Sequence, residues 1–268
     1  MLNIIVCIKQ VPDTTSVKIS KENTIIREGV PSIINPFDVN AIETALQLKE
    51  KEGGKTIAIT MGPPQAEDSL REAISMGIDE AFLISDKAFA GSDTLATSHT
   101  LSYAIRKIGF DLVICGKQAI DGDTAQVGPE IAELLDIPHI SYVCKMPEIM
   151  NGKMRVEREL ESAYEVIEAD LPCLITVTKE INKPRMPSLK RKLLARNIQI
   201  PRLTKDDLKI SETLCGFSGS PTQVIRIFTP HKKPGKRLSG SPDEMVDTLI
   251  AELKERGIIY INTLNQKK

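Results

Sequence analysis

The stretch Asp111-Leu112-Val113-Ile114-Cys115-Gly116-Lys117-Gln118-Ala119-Ile120-Asp121-Gly122-Asp123-Thr124-Ala125-Gln126-Val127-Gly128 decides the architecture. Leu112 to Cys115 is an unbroken apolar run, which reads as a strand buried on both faces, as in a parallel sheet covered by helices. A glycine-bearing loop follows, and helical spacing then runs from Ala125 to Leu135. The same alternation repeats upstream. Strands are expected at Leu2–Ile8, Lys55–Met61 and Ala81–Ile84. Between them fall helices from Asn35-Pro36 to Glu52, from Gln65 to Met76, and from a Ser92 or Asp93 cap to about Ile108. Asn35 before Pro36 is a cap followed by a first-turn proline, and Phe37, Ala41, Ile42, Ala45, Leu46 and Leu48 form one broad apolar face. Gly53-Gly54 stops that helix.

This pattern predicts an α/β fold: a doubly wound, mainly parallel sheet of Rossmann-like topology, with an extended C-terminal arm ending in a helix. Strands near His139–Lys145, Met154–Arg158, Ala163–Ile167 and Cys173–Thr178 extend the sheet or add antiparallel edges. A hairpin is expected through Val17 to Arg27. Residues 181–240 are rich in proline and cations and have little periodicity, so they read as an arm lying on a partner. The last helix is marked by Ser241, Pro242 and Glu244, a capping box, and by Gly257 as its stop. The expected division is 1–195 for the α/β domain and 196–268 for the arm and helix.

Composition narrows the function classes. Thirty-five basic side chains nearly cancel thirty-six acidic ones, so no global field favours nucleic acid or an anionic membrane. No stretch approaches the ~18 apolar residues of a membrane span, and Met1 to Ile4 does not open a secretion signal. A cytoplasmic address is the expectation. Cys7, Cys115, Cys144, Cys173 and Cys215 are scattered, as are His99, His139 and His231, which argues against a metal site, a disulfide framework or a Cys/His nucleophile.

Familiar phosphate-binding devices are missing. The first strand leads into Lys9-Gln10-Val11-Pro12-Asp13 with no glycine, and neither Gly116-Lys117 nor Gly54-Lys55-Thr56 completes a Walker loop. The Gly116 to Gly128 segment does fit an anion site. With the common strand order 3-2-1-4-5, the first and fourth strands are neighbours, and ligands bind where their connections diverge. Free amides at the start of the helix near Ala125 would favour a phosphate, with Asp123 or Thr124 as cap and with Gly122 and Gly128 permitting close approach. Read alone, Asp121-Gly122-Asp123 is equally a tight turn.

Taken together, Val6-Cys7-Ile8-Lys9-Gln10-Val11-Pro12-Asp13, Asn35-Pro36-Phe37-Asp38 with Ala41 and Glu43, Met61-Gly62-Pro63, the Gly116 to Gly128 loop, Val156-Glu157-Arg158-Glu159, Leu171-Pro172 and Asn182-Lys183-Pro184-Arg185 resemble the β subunit of electron transfer flavoproteins. The resemblance spans essentially the whole chain. It implies pairing with an FAD-carrying α subunit, on which the C-terminal arm and helix would pack, and electron exchange with dehydrogenases. The family's adenine nucleotide site would fall on Cys7, Asn35, Pro36, Phe37, Asp38, Met61, and the run Ile120, Asp121, Gly122, Asp123, Thr124, Ala125, Gln126, Val127, Gly128, Pro129, Glu130 and Ile131. Many members hold AMP there. Others hold FAD and bifurcate electrons from NADH, one through the α-subunit flavin to a dehydrogenase and one to ferredoxin or flavodoxin. Asp121 to Pro129 resembles this second group, since the AMP group tends to carry cysteine and asparagine where Thr124 and Ala125 stand. FAD is therefore the expectation and AMP the alternative.

Redox chemistry would then belong to the flavin, and no catalytic side chain is expected. Lys117 and Gln118 stand within reach of the ligand. By resemblance, Glu159 contacts an arginine of the α subunit, and the docking loop maps to Asn182–Lys190, with Leu189 as anchor beside Pro184, Arg185 and Met186. Met186 stands where the commoner pattern has an aromatic, and Pro187 falls inside the loop, so the partner is left open between an acyl-CoA dehydrogenase-like and a 2-hydroxyacid dehydrogenase. The competing reading is a nucleotide-binding module without redox chemistry, holding structural AMP or sensing ATP.

Overall fold

The computed structural model describes residues 2–13, 18–19, 25–26, 31–225 and 235–259. The strands are β1 (Leu2–Cys7), β2 (Gln10–Pro12), β3 (Lys18–Ile19), β4 (Ile25–Ile26), β5 (Ser32–Ile34), β6 (Gly54–Met61), β7 (Glu80–Ile84), β8 (Leu112–Gly116), β9 (His139–Val143), β10 (Glu148–Met150), β11 (Lys153–Glu159), β12 (Tyr164–Asp170), β13 (Cys173–Val177) and β14 (Arg202–Leu203). The helices are α1 (Pro36–Glu52), α2 (Glu67–Met76), α3 (Thr94–Ile108), α4 (Val127–Leu135), α5 (Leu189–Arg196), α6 (Lys205–Leu208) and α7 (Pro242–Glu255).

The main sheet runs β10-β11-β9-β13-β8-β1-β6-β7-β14, with β12 paired to β11. Its centre is parallel, and the β9 to β12 end is closed by antiparallel pairs. Period-two alternation divides the core. Ile4, Val6, Ala58, Leu112, Ile114 and Ile175 meet α1 and α2 on one face; Ile5, Cys7, Ile57, Ile59, Val113, Cys115 and Leu174 meet α3 and α4 on the other. The result is the α/β, doubly wound sheet that the alternation of strands and helices predicts.

The order departs from 3-2-1-4-5 at its last place. The neighbour of β8 is β13, not β9. Every residue of Cys173-Leu174-Ile175-Thr176-Val177 is buried, whereas His139–Val143 is only partly so, and the more apolar segment takes the interior position. Asp93 caps α3, accepting from the Ala96 amide. Of the hairpin expected over Val17 to Arg27, β3 and β4 pair antiparallel, and the rest lies outside the described residues, as do Pro230 to Pro234.

The chain divides later than residue 196. The compact units are 1–225 and 226–268. Residues 196–225 belong to the first: β14 pairs with Leu83 and Ile84, and Leu208, Ile210 and Cys215 are buried in the core cluster that also holds Leu101 and Ile105. Their apolar side chains are too widely spaced to give a readable period, so this stretch resembles a partner-bound arm in sequence alone. Within the second unit, α7 carries the expected capping box of Ser241 and Glu244.

Candidate functional site

At the carboxyl edge of the central strands, Cys7 of β1 stands in register with Cys115 of β8. Both thiols are buried, and Cys115 is pushed well above its usual range by its contact with Cys7 and by burial. Beyond β1 the chain is tied to the start of α1: the Asn35 amide donates to the Lys9 carbonyl at 2.9 Å, and the Lys9 amide donates to Asp38 Oδ2 at 2.7 Å. Asn35 is 1% exposed, and its side chain is fully engaged. Nδ2 donates to Asp38 Oδ1 at 2.9 Å and to the Gln118 carbonyl at 2.8 Å, while Oδ1 accepts from the Ile120 amide at 3.2 Å.

Asp38 is the buried acid of this edge. Burial lifts its pKa to about 7, against N–H donors from Asn35, Lys9 and Gly116 and the charge of Lys9, which pull the other way. Gly116 is required here by close approach. A Cβ would lie 2.2 Å from Asp38 Oδ1 and 2.7 Å from Phe37 Cβ.

The loop itself is exposed from Asp121 to Thr124. Both of its carboxylates are engaged locally, and one is paired with a charge: Asp121 takes the Lys9 ammonium at 2.7 Å, and Asp123 accepts from the Gln118 side-chain amide. Asp123 and Ala125 both adopt left-handed backbone, at φ 58° and 54°. Asp123 donates its N–H to the Ala119 carbonyl, and Glu130 donates to Gln126. Between them, among the described residues, the N–H groups of Thr124, Ala125, Gln126, Val127 and Gly128 have no acceptor in the chain. A row of free amides at the start of α4, behind a left-handed residue followed by right-handed Gln126, is the geometry that receives an anion.

Two local expectations change. The helix starts at Val127, its cap is Gln126, and no side chain caps it, so Asp123 and Thr124 do not serve as cap. Gly128 lies inside α4, where a Cβ would come 2.6 Å from Thr176 Cγ2, so it lets helix and sheet pack closely.

The remaining expected residues divide by environment. Pro36, Phe37, Met61, Ile120 and Pro129 are half-buried near the edge, with the Lys179 ammonium 4.7 Å from the Phe37 ring. Glu130 is held by Thr94 Oγ1 at 3.1 Å and Ser98 Oγ at 2.9 Å, and Ile131 is wholly buried; both side chains serve the α3–α4 contact. Lys117 lies over the Tyr142 ring at 4.8 Å. Two cavities, of about 300 and 390 Å³, sit at the opposite edge beside Asn3, Lys55 and Lys107 and beside Asp79 and Gln199. Neither touches an expected residue. Among the described residues no His, Cys, Asp and Glu cluster could hold a metal ion, and no helix is long and apolar enough to cross a membrane. Sequence reasoning missed Lys9, whose partner Asp121 is remote in the chain.

Away from this edge, Glu159 is half-buried at the end of β11, opposite Tyr164. Pro184 and Arg185 are half-buried, while Met186 and Leu189 are 90% and 74% exposed, so Leu189 does not pack at the start of its helix. Ser188 caps α5. Arg71 of α2 donates to the carbonyls of Ala195, Arg196 and Ile198 at the end of α5, and Arg191 of α5 donates to Met76 at the end of α2. Each arginine thus satisfies the terminal carbonyls of the other helix.

Comparison with known proteins gives the family. The electron transfer flavoprotein domain matches residues 22–208. An electron transfer flavoprotein subunit beta from Thermoanaerobacterium thermosaccharolyticum is 52% identical over 96% of this chain and 100% of its own. Subunit CarD of the caffeyl-CoA reductase-Etf complex of Acetobacterium woodii is 49% identical, with the same two coverages. Protein FixA of Azorhizobium caulinodans is 43% identical over 95% of each chain. The chain belongs to the electron transfer flavoprotein family, as a β subunit acting in electron transfer.

Proposed function

We propose that this β subunit holds FAD, in preference to AMP, at the carboxyl edge of β1 and β8, and that it works in the cytoplasm as a heterodimer with an FAD-carrying α subunit. The row of free amides from Thr124 to Gly128 carries the nucleotide site, and the resemblance of Asp121 to Pro129 to the FAD-holding group supports FAD over AMP. Phosphate oxygens are the acceptors such a row lacks, and the pairing of Asp121 with Lys9 reduces repulsion of an anion there. The residues present fit the group. The amides would take the phosphates, Gly116 leaves Asp38 and Phe37 in place behind them, and the half-buried Met61 and Pro36 flank the edge. Lys117 and Gln118 serve the loop.

When bound, the flavin supplies the hydride and single-electron chemistry, and the chain supplies placement. We assign the complex to electron bifurcation from NADH, with ferredoxin or flavodoxin as one acceptor and a dehydrogenase as the other. Similarity to a subunit of a caffeyl-CoA reductase-Etf complex supports an acyl-CoA dehydrogenase-like partner over a 2-hydroxyacid dehydrogenase. Leu189 and Met186, exposed on an arginine-fastened helix and its leading loop, supply the docking surface, and Glu159 faces the α subunit. Ala125 gives the test. A β-branched residue at φ 54° is strongly disfavoured, so Ala125→Val should empty the β site and spare the α-site flavin. Unchanged cofactor content would contradict the assignment.

A further inference from the structure

We infer that Asn35 is a positioning residue for the nucleotide loop: without touching the ligand, its carboxamide fixes the 116–120 segment on which the free amides depend. This rests on the proposed function. Asn35 is 1% exposed, so little of it can reach a ligand, yet it bonds to two points of a loop more than eighty positions away, the Gln118 carbonyl and the Ile120 amide. The same side chain is oriented by Asp38, which is in turn held by the Lys9 amide at the end of β1. The relay from Lys9 through Asp38 and Asn35 to Gln118 and Ile120 therefore spans the two strand ends that flank the site. Its direction is fixed, because Asn35 must present N–H to Asp38 and Gln118 and oxygen to Ile120.

The loop gains order from it. Ala119 accepts the Asp123 amide, so holding residues 118 and 120 sets where the turn at Asp123 to Ala125 begins and where the row of free N–H groups points. Rigid donors lose less entropy on binding than donors that must first be ordered. Asn40 supplies an internal control. It lies in the helix that Asn35 precedes, is 5% exposed, and donates to the carbonyls of Lys179 and Asn182, with no bond to residues 116–120.

The experiment is calorimetric titration of AMP into the dialysed α/β heterodimer, beside its melting temperature. Asn35→Ala should weaken AMP binding ~10-fold or more, the loss of about one hydrogen-bonded anchor. Asn40→Ala should lower the melting temperature comparably and leave AMP affinity within ~2-fold, since the interaction it removes is of the same kind. Equal effects of the two variants, or unchanged affinity in Asn35→Ala, would overturn the assignment and leave the nucleotide site standing. Wild-type heterodimer that takes up neither AMP nor FAD would overturn both. Should Asn35→Ala not fold, hydrogen exchange on nucleotide-free wild type decides the matter: the Ile120 amide should be protected like those of β8, and exchange as fast as at Gly122 would refute a prepositioned loop.

Discussion

Arg185 grips Glu43 three times: its backbone amide and Nε reach Oε2 at 3.0 and 2.8 Å, and Nη2 reaches Oε1 at 3.0 Å. Glu43 lies on α1, the helix that follows Asn35 and carries Asp38 in its first turn, so the 182–190 loop and the carboxyl edge of β1 and β8 share one support. Burial pushes Glu43 up, but the hydrogen bonds and charge of Arg185 and the bond from Gln47 outweigh it, and its pKa falls below the usual value. Glu50 takes the rest of the guanidinium. Arg185→Ala would strand a buried carboxylate; with the arginine partly exposed, the expected loss is ~2 kcal/mol, less than for a fully buried pair. Because Glu43 is depressed, the pair's contribution is present above the ordinary glutamate range and disappears as pH falls through the folded-state value. Denaturant melts of wild type and variant at several pH values measure both.

Leu189 makes the opposite case. At 74% exposed it contributes little to folding, so Leu189→Ala should change stability by less than ~0.5 kcal/mol. Dehydrogenase-dependent electron transfer should fall, and NADH oxidation by artificial dyes should persist. Parallel assays of the two activities separate docking from misfolding, which would remove both.

Lys9 should matter through charge. Lys9→Ala leaves Asp121 unpaired beside the free amides, which should weaken AMP binding a few-fold at low salt and less at high salt, as screening shortens the reach of Asp121. Titrations at two ionic strengths provide the check, and a salt-independent loss would point to a displaced loop instead.

Asp38 predicts a pH signature. Its folded-state pKa of about 7 exceeds the reference 3.8, so between those values the folded chain holds a proton that the unfolded chain has released. Its contribution to stability is therefore full below the unfolded value, falls as pH rises, by at most ~1.4 kcal/mol per pH unit, and levels off above the folded value. Asp38→Asn should remove this slope from the difference between variant and wild type. Stability measured from pH 4 to 8 reads it directly.

The four central strands were legible because each is a short apolar run, with glycine at the boundaries of β6 and β8, and the amphipathic spacing of Ala41, Ile42, Ala45 and Leu46 left little choice for α1. The place of Cys173–Val177 beside β8 was not legible, since nothing local says which apolar run will be innermost. Residues 202–215 misled because a two-residue strand and isolated buried side chains leave no periodic trace. At the site, the 116–128 segment stood out through its glycines and its position after a buried strand. The fold adds what the segment's sequence does not show: Gly128 packs, Ala125 turns, and Asn35 and Lys9 brace the loop through contacts that only the fold brings together.

The most direct measurement is the molar content of FAD and AMP in the gently purified heterodimer, with β-site occupancy compared between wild type and Ala125→Val. Two FAD and no AMP in wild type, falling to one FAD in the variant, is the predicted result. A single FAD with no adenine nucleotide in the β site, or two FAD retained equally by both proteins, would contradict a cofactor held by the amides of Thr124 to Gly128.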